Sequence, residues 1–257
     1  MIIYIYYNIK INCNNYLSRY YNVTIKDIKE GDIILIDYYL VGLGITTIGI
    51  ALYNTLDKLN SSTKETEYTL KIGYSGAFIK KPIVADMRLY PHLLCCGLSN
   101  SGKSKCIEYA IRDKQCVLLN AFSDDFISIK CRRIIGNKKI LTYLKSILDN
   151  PYKREKPLYI VIDEMLSLCI DKNISKAIME LLAVGRHYNI ILIGISQRAT
   201  ATEIPFKNLF NCRMTFRQIE SSSYSTILGY SVEDKHLNNR EFIIATDKLL
   251  RGKTYDL

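Results

Sequence analysis

Eight consecutive residues, Gly97 to Ser104, have the types and spacing that hold a phosphate group. Their sequence, GLSNSGKS, places four residues between Gly97 and the closing Gly-Lys-Ser, which is the P-loop pattern. Small residues allow successive backbone N–H groups to converge on one anion, Lys103 would contact the β- and γ-phosphates, and the Ser104 hydroxyl would ligate Mg²⁺. The predicted phosphate-binding residues are Gly97, Leu98, Ser99, Asn100, Ser101, Gly102, Lys103, Ser104 and Lys105.

The segments on either side of this loop support the same interpretation. An apolar run over 92–96 predicts a strand that leads into the loop, and 103–113 predicts a helix that leaves it. The amino-terminal N–H groups and the dipole of such a helix would face the phosphates. The alternative is a chance Gly-Lys-Ser turn, and the strand and helix around it favour the P-loop.

Two adjacent carboxylates follow a second apolar run. The sequence LYIVIDE ends in Asp163 and Glu164, about 60 residues after the P-loop, and ligands of open α/β sheets bind at the carboxyl ends of the strands. Asp163 is suited to hold Mg²⁺ through its water shell, and Glu164 to orient the attacking water and accept its proton. An ordinary helix cap is the alternative, which the P-loop upstream makes the weaker one.

A third apolar run, IILIGIS, ends in Ser196 and is followed by Gln197 and Arg198. If this strand neighbours the one that carries Asp163, Gln197 would lie near the γ-phosphate and could sense it. A surface-loop glutamine is the alternative, because no spacing rule fixes the partner of Gln197.

The elements that must position these residues alternate between short apolar runs and helical segments. Strands are predicted at 93–96, 116–119, 158–162 and 190–195, with helices at 103–113 and 175–186. This alternation predicts an α/β fold with a central, mainly parallel sheet flanked by helices. The polar run 60–66 predicts a boundary between a small amino-terminal α+β region, 1–66, and a main domain, 67–257.

The net charge, the cysteines and the apolar segments indicate the kind of partner and the cell compartment to expect. With 35 Lys and Arg against 25 Asp and Glu, the net charge is +10, which favours a polyanionic partner. The eight cysteines lack metal-binding spacing, and the amino terminus lacks a secretory leader, so a reducing cytoplasm without a disulfide framework is expected. The most apolar stretch, 33–53, is interrupted by Gly42 and Gly44, and we expect core packing there and no integral membrane span.

These motifs together resemble the FtsK/SpoIIIE DNA translocases of the FtsK–HerA group of P-loop motors. The run KKPIVADMRLYPHLLCCGLSNSGKSK resembles that family's approach to the P-loop, and LYIVIDEMLSL resembles its Walker B strand. GRHYNI at 185–190 is similar to its Gly-Arg-Ala-x-Gly-Ile run, and Ser-Gln-Arg at 196–198 to its Thr-Gln-Arg. KNLFNCRMTF at 207–216 has the length of its Lys-x-Asn-x-x-x-Arg-x-x-Phe run. The likeness covers about 68–257.

The resemblance implies a RecA-like P-loop NTPase core and an ATPase that works as a homo-oligomeric ring on double-stranded DNA, independently of base sequence. In such rings an arginine of one subunit completes the ATP site of its neighbour, and Arg186 and Arg213 are the candidates. Basic clusters at 130–133, 138–139 and 153–154 can contribute to phosphate-backbone contacts, although such clusters are usually solvated surface. A relaxase, a portal or a membrane-associated protein is an expected partner, and the expected location is the cytoplasm of a bacterial host or the periphery of its membrane.

Three departures from the family pattern qualify this expectation. Ser225 stands where the family has an arginine, which puts one interface contact in doubt. Asn120-Ala121-Phe122 replaces Asp-Pro-Lys, and the helical region that follows is short. Neither a winged-helix module nor a multi-span anchor is expected, which fits a minimal motor of a mobile element or virus.

The function predicted from the sequence is therefore ATP-driven translocation of double-stranded DNA, in conjugation, mobilisation or genome packaging. Two alternatives stay open. One is a nucleotide-switch adaptor that recruits a relaxase or portal partner without motor activity. The other is a small-molecule P-loop phosphotransferase, which would need a lid and an acceptor pocket and would be indifferent to DNA.

Overall fold

Ten strands form one mixed sheet in the part of the chain that the computed structural model describes, residues 66–76, 80–122, 124–198, 204–233 and 236–256. The strands are β1 (Thr69–Ser75), β2 (Lys81–Asp86), β3 (Leu93–Cys96), β4 (Cys116–Leu119), β5 (Arg132–Ile134), β6 (Leu158–Ile162), β7 (Ile190–Ser196), β8 (Cys212–Thr215), β9 (Glu241–Ala245) and β10 (Leu249–Lys253). Their order is β2-β1-β10-β9-β8-β3-β7-β6-β4-β5. The six strands from β8 to β5 are parallel, and β9, β10, β1 and β2 extend them by antiparallel pairing.

The central strands are apolar on both faces because helices cover both. Every residue of β3, β6 and β7 is buried, and alternate side chains belong to two separate apolar clusters. On β3, Leu93 and Cys95 belong to one cluster, and Leu94 and Cys96 to the other. This two-residue alternation is the period of a strand, and it explains why these runs are continuously hydrophobic.

Five α-helices pack on this sheet in the described residues: α1 (Lys103–Ile111), α2 (Asn137–Asp149), α3 (Met165–Cys169), α4 (Lys172–Val184) and α5 (Ser221–Leu228). Helix α1 contributes Ile107 and Ile111 to one cluster, whereas α2 and α4 contribute to the other. Both α2 and α4 bury a single apolar stripe, as expected of surface helices.

The α/β fold class predicted from the sequence is confirmed, and the predicted strands at 93–96, 116–119 and 158–162 have the predicted bounds. The helix predicted at 175–186 begins at Lys172, because the Asp171 carboxylate accepts hydrogen bonds from the N–H groups of Asn173 and Ile174 and caps it. It ends at Val184 and is followed by a 3₁₀ turn at Gly185–Tyr188.

Residues 1–65 lie outside the described residues, so the amino-terminal region, its boundary at residue 66 and the apolar stretch 33–53 stay predictions. Among the described residues, no helix is long and apolar enough to cross a membrane. The seven cysteines in the described part are all free thiols.

Candidate nucleotide-binding and hydrolysis site

The predicted P-loop connects β3 to α1 and is held between the two strands that flank β3. The Gly97 N–H donates to the carbonyl of Ser196, the last residue of β7, at 3.2 Å. The Leu98 N–H donates to the carbonyl of Arg217, just beyond β8, at 3.1 Å. The loop is therefore fixed to the carboxyl edge of the parallel strands, where the sequence predicts the phosphate site.

Three residues of the loop have positive φ: Gly97 at 153°, Asn100 at 59° and Gly102 at 107°. This conformation turns the backbone back on itself and directly precedes α1, whose first residue is Lys103. Glycine adopts positive φ without steric cost, which is why two of the three positions are glycines.

A side chain at position 97 is expected to disrupt the loop, because a Cβ there would lie 2.6 Å from Cβ of Phe216 and 3.0 Å from Oγ of Ser101. Gly97→Ala should therefore reduce the rise in melting temperature that saturating ATPγS causes in the wild-type protein to less than half. The matched control is Gly136→Ala, where φ is also positive but no atom lies within 4 Å of the added Cβ. An undiminished ATPγS-induced shift in Gly97→Ala would show that the backbone at Gly97 does not shape the site.

The polar groups inside the loop fit a phosphate ligand. The Lys103 ammonium, only 8% exposed, donates to the carbonyls of Gly97 and Leu98, each at 2.8 Å. The Ser101 hydroxyl is 5% exposed and has no hydrogen-bond partner among the described residues. Because an unpaired buried hydroxyl is costly, a ligand that supplies its partner would stabilise the loop. Ser104 lies half-buried in the first turn of α1, and the exposed Lys105 pairs with Glu108 at 3.2 Å.

Asp163 and Glu164 lie at the same edge of the sheet as the loop. They follow β6, which is separated from β3 by β7 alone. The Asp163 N–H donates to the carbonyl of Leu119 on β4 at 2.9 Å, which continues the strand pairing up to the carboxylate. Burial raises the pKa of Asp163 to about 6, and the Asp125 carboxylate acts in the same direction. A cation such as Mg²⁺ beside Asp163 would offset this cost.

Removing the Asp163 charge is expected to stabilise the metal-free protein. Since the pKa is raised from 3.8 to about 6 in the folded protein, ionisation opposes folding, and the penalty grows as pH rises from about 4 to 6 and is complete above that. Asp163→Asn should therefore be more stable than wild type at pH 7.5 by roughly 1–2 kcal/mol, after allowance for partial exposure, and by less at pH 5. Denaturant unfolding at both pH values in the presence of a chelator measures the difference.

Asp149→Asn is the control for this comparison, since Asp149 is exposed at the end of α2. Asp163→Asn unfolding at or below the wild-type denaturant midpoint at pH 7.5 would contradict a destabilising charge at position 163.

Glu164 has an unusual backbone conformation that presents its side chain beyond the strand. Its φ of 48° and ψ of 55° place it in the left-handed region, at the start of α3. For a residue with a Cβ this costs roughly 1 kcal/mol or more, and such strain is concentrated at functional positions. The Gln197 amide nitrogen lies 3.5 Å from Oε2 of Glu164.

Gln197 reaches Glu164 because β7 pairs with both β3 and β6. The sequence predicts Gln197 near the γ-phosphate only if β7 neighbours the strand that carries Asp163. Since β7 pairs with β6, that condition is met. Gln197 is exposed, and the preceding carbonyl, that of Ser196, binds the P-loop at Gly97. The structure thus brings the P-loop, the two carboxylates and Gln197 together at one edge.

Asn120 is a site residue that sequence reasoning did not assign. It follows β4 with φ at 61°, and its amide nitrogen donates to the carbonyl of Asp163 at 3.2 Å and to the hydroxyl of Ser167 at 3.3 Å. The Ser167 hydroxyl in turn donates to the carbonyl of Glu164 at 2.8 Å. Asn120 therefore positions the backbone of both carboxylate residues. Two features of the sequence could have pointed to Asn120. It directly follows a predicted strand, and it stands at a position where the chain departs from the family pattern.

The two candidate arginines do not join this group. Arg186 is exposed in the 3₁₀ turn before β7, at the amino ends of the parallel strands, whereas the P-loop lies at their carboxyl ends. Because β7 has seven residues at about 3.3 Å each, Arg186 is roughly 20 Å from the P-loop of its own chain. Arg213 lies within β8, and its guanidinium packs against Gly229 and lies 3.5 Å from the carbonyl of Ile227 at the end of α5.

Comparisons with known proteins agree with this architecture. No protein-family model matches the sequence, and no curated protein matches it significantly. Among solved structures, the chain is similar to the pCW3 conjugation coupling protein TcpA, determined in a monomer form with ATPγS. The TM-score is 0.60 and the identity 16%, over 75% of this chain and 67% of that one.

Two further ATPase structures are similar as well. EssC (ATPases 2 and 3) from Geobacillus thermodenitrificans has a TM-score of 0.59 and 14% identity, over 73% of this chain and 44% of that one. The cytoplasmic domain of the Type VII secretion ATPase EccC from Thermomonospora curvata has a TM-score of 0.56 and 16% identity, over 73% and 28%. This chain thus spans less than half of each of these two structures.

The fold is that of a P-loop ATPase domain. The resemblance to FtsK/SpoIIIE-type ATPases that the motifs predict is confirmed at the level of the fold.

Proposed function

We propose that this protein is an ATPase that hydrolyses ATP to translocate double-stranded DNA, with 67–257 as its motor domain. The observation that carries the proposal is the convergence of the P-loop, Asp163, Glu164 and Gln197 at one edge of the sheet. A P-loop alone is compatible with nucleotide binding of any kind. A carboxylate and an amide beside it add the groups that hydrolysis requires.

ATP binding follows from the loop geometry. The phosphates would accept hydrogen bonds from the loop N–H groups and from the Ser101 hydroxyl, while the Lys103 ammonium would exchange its two loop carbonyls for phosphate oxygens. Ser104 and Asp163 supply the oxygen ligands that Mg²⁺ prefers, and Mg²⁺ would neutralise charge that develops on the phosphates.

Hydrolysis requires a base near the attacking water. Glu164, which follows β6 and lies beside Gln197, would be that base, and its carboxylate would take the proton from the water. Gln197 would help orient the same water and report on the γ-phosphate. Asn120, bonded to the carbonyl of Asp163, would hold the two carboxylates in register with the loop.

Two observations support the proposal that DNA is the polymer that the protein moves. They are the net charge of +10 and the conjugation coupling protein among the structural neighbours. We propose that the protein acts as a ring in which Arg186, too far from its own P-loop, completes the site of the neighbouring subunit. Conjugative transfer, with a relaxase as partner, or genome packaging, with a portal, would be the process served, in the cytoplasm or peripherally at the membrane.

The experiment that tests this proposal is steady-state ATP hydrolysis by the full-length protein with and without linear duplex DNA. We expect stimulation that weakens as salt rises, since DNA binding releases counterions. Tight ATPγS binding without turnover at any DNA length would favour the nucleotide-switch adaptor. Turnover that ignores DNA would favour the phosphotransferase.

A further inference from the structure

A basic groove lies at the far end of the sheet, between edge strand β5 and helix α2. The groove contains Arg132 and Arg133 from β5 and Lys138 and Lys139 from α2, with Tyr143 in its wall. No acidic residue lines it in the described part of the chain. Arg132, Lys138 and Lys139 are exposed, so their charges face solvent.

Two basic clusters that are separate in the sequence meet at this groove. The Arg132 guanidinium lies 5.2 Å from the centre of the Tyr143 ring. Burial raises the pKa of Tyr143, and the nearby charges of Arg132 and Arg154 oppose that rise. The clusters at 130–133 and 138–139 therefore form one surface.

The two lysines of the groove lie at the amino-terminal end of a helix, where positive charge is unfavourable. Lys138 and Lys139 lie in the first turn of α2, at the positive end of the helix dipole, and that turn contains no acidic residue. An anion in the groove would offset the repulsion. Arg133 has a different role, because its guanidinium donates to the carbonyls of Phe122 and Phe126, each at 2.7 Å, and so holds the preceding loop.

We infer that this groove holds the phosphate backbone of duplex DNA, with Arg132, Lys138 and Lys139 as the contacting side chains. The inference rests on the proposed function and names the surface that contacts the DNA. A concave surface with several separated cations fits a phosphate backbone, since an anionic membrane would favour a flatter face.

The groove is separate from the ATP site but connected to it. Strand β5 lies four positions from β3, which is about 19 Å at the usual strand spacing. Both open at the same edge, because β3 and β5 belong to the parallel set. The carbonyl of Ile134, at the end of β5, accepts from the N–H of Asn120 at 2.9 Å, and Asn120 contacts Asp163.

Lys138→Gln/Lys139→Gln in the full-length protein tests the inference by fluorescence anisotropy with a 30-base-pair duplex at several salt concentrations. We expect roughly tenfold weaker binding and a loss of about 2 in the slope of log K against log salt. The control is Lys248→Gln/Lys253→Gln, which removes the same charge from two exposed positions, one in the β9–β10 turn and one at the last residue of β10. The ATPγS-induced shift in melting temperature should be unchanged in both variants.

Each result decides a different point. Wild-type affinity and salt slope in the groove variant would overturn the inference and leave the proposed function standing. No duplex binding by the wild-type protein would overturn both. Loss of binding to phosphatidylserine vesicles, with DNA affinity intact, would assign the groove to a membrane and also overturn the inference.

Discussion

Glu164→Gln is expected to lower the rate of ATP hydrolysis at least a hundredfold while leaving ATP affinity within a few-fold of wild type. Glutamine keeps the size and backbone geometry of residue 164 but cannot accept the proton of the attacking water, and a positioned base contributes roughly 10²–10⁴ to a rate. Phosphate release gives the hydrolysis rate, and binding of a fluorescent ATP analogue gives the affinity.

Glu155→Gln provides the matched control, because Glu155 is an exposed carboxylate in the connection before β6. It should hydrolyse ATP at the wild-type rate. If Glu164→Gln retained more than about a tenth of wild-type turnover, the base would have to be another group, and the strained conformation of Glu164 would need a different explanation.

Arg186→Ala is expected to lower the rate of ATP hydrolysis about 10³-fold and to leave nucleotide binding unchanged. An arginine supplied by a neighbouring subunit stabilises the charge of the transition state and raises the rate by about that factor. Arg213→Ala should behave differently. Its guanidinium packs against the end of α5 in its own chain, so its loss should lower the melting temperature.

Mixing two inactive variants tests whether Arg186 acts between subunits. Arg186→Ala subunits have an intact P-loop, and Lys103→Ala subunits have an intact arginine, so a mixed ring contains some complete sites. Hydrolysis by the mixture should exceed the sum of the two variants measured alone. Two outcomes would argue against an intersubunit role: no gain on mixing, or Arg186→Ala turnover close to wild type.

The parts of the fold that the sequence predicts well are those fixed by local pattern. Strands β3, β4 and β6 are continuous apolar runs bounded by polar residues, and their bounds agree with prediction. The antiparallel extension was not predicted, because strands such as β10, with sequence LLRGK, are mostly exposed and depend on their neighbours for pairing. Helix α2 is longer than the short helical region expected after the Asn120 segment.

In the candidate site, too, the features that depend on local sequence could be predicted, and those that depend on tertiary contacts could not. The P-loop and the Asp163-Glu164 pair are local motifs, and the loop could be placed from spacing alone. The proximity of Gln197 to Glu164 depends on strand order, which the sequence left conditional. The role of Asn120 depends on where β4 ends relative to β6, and the meeting of two basic clusters beside Tyr143 depends on how α2 packs on the sheet. Such contacts between distant segments are tertiary and carry no local signal.

Displacement of a third strand from DNA tests the central claim most directly. A labelled oligonucleotide is bound as a triplex near one end of a linear duplex, and its release is followed after the full-length protein and ATP are added. We predict release that requires ATP hydrolysis, fails with ATPγS and is absent with Glu164→Gln. ATP hydrolysis that is stimulated by the duplex but leaves the third strand in place would contradict translocation.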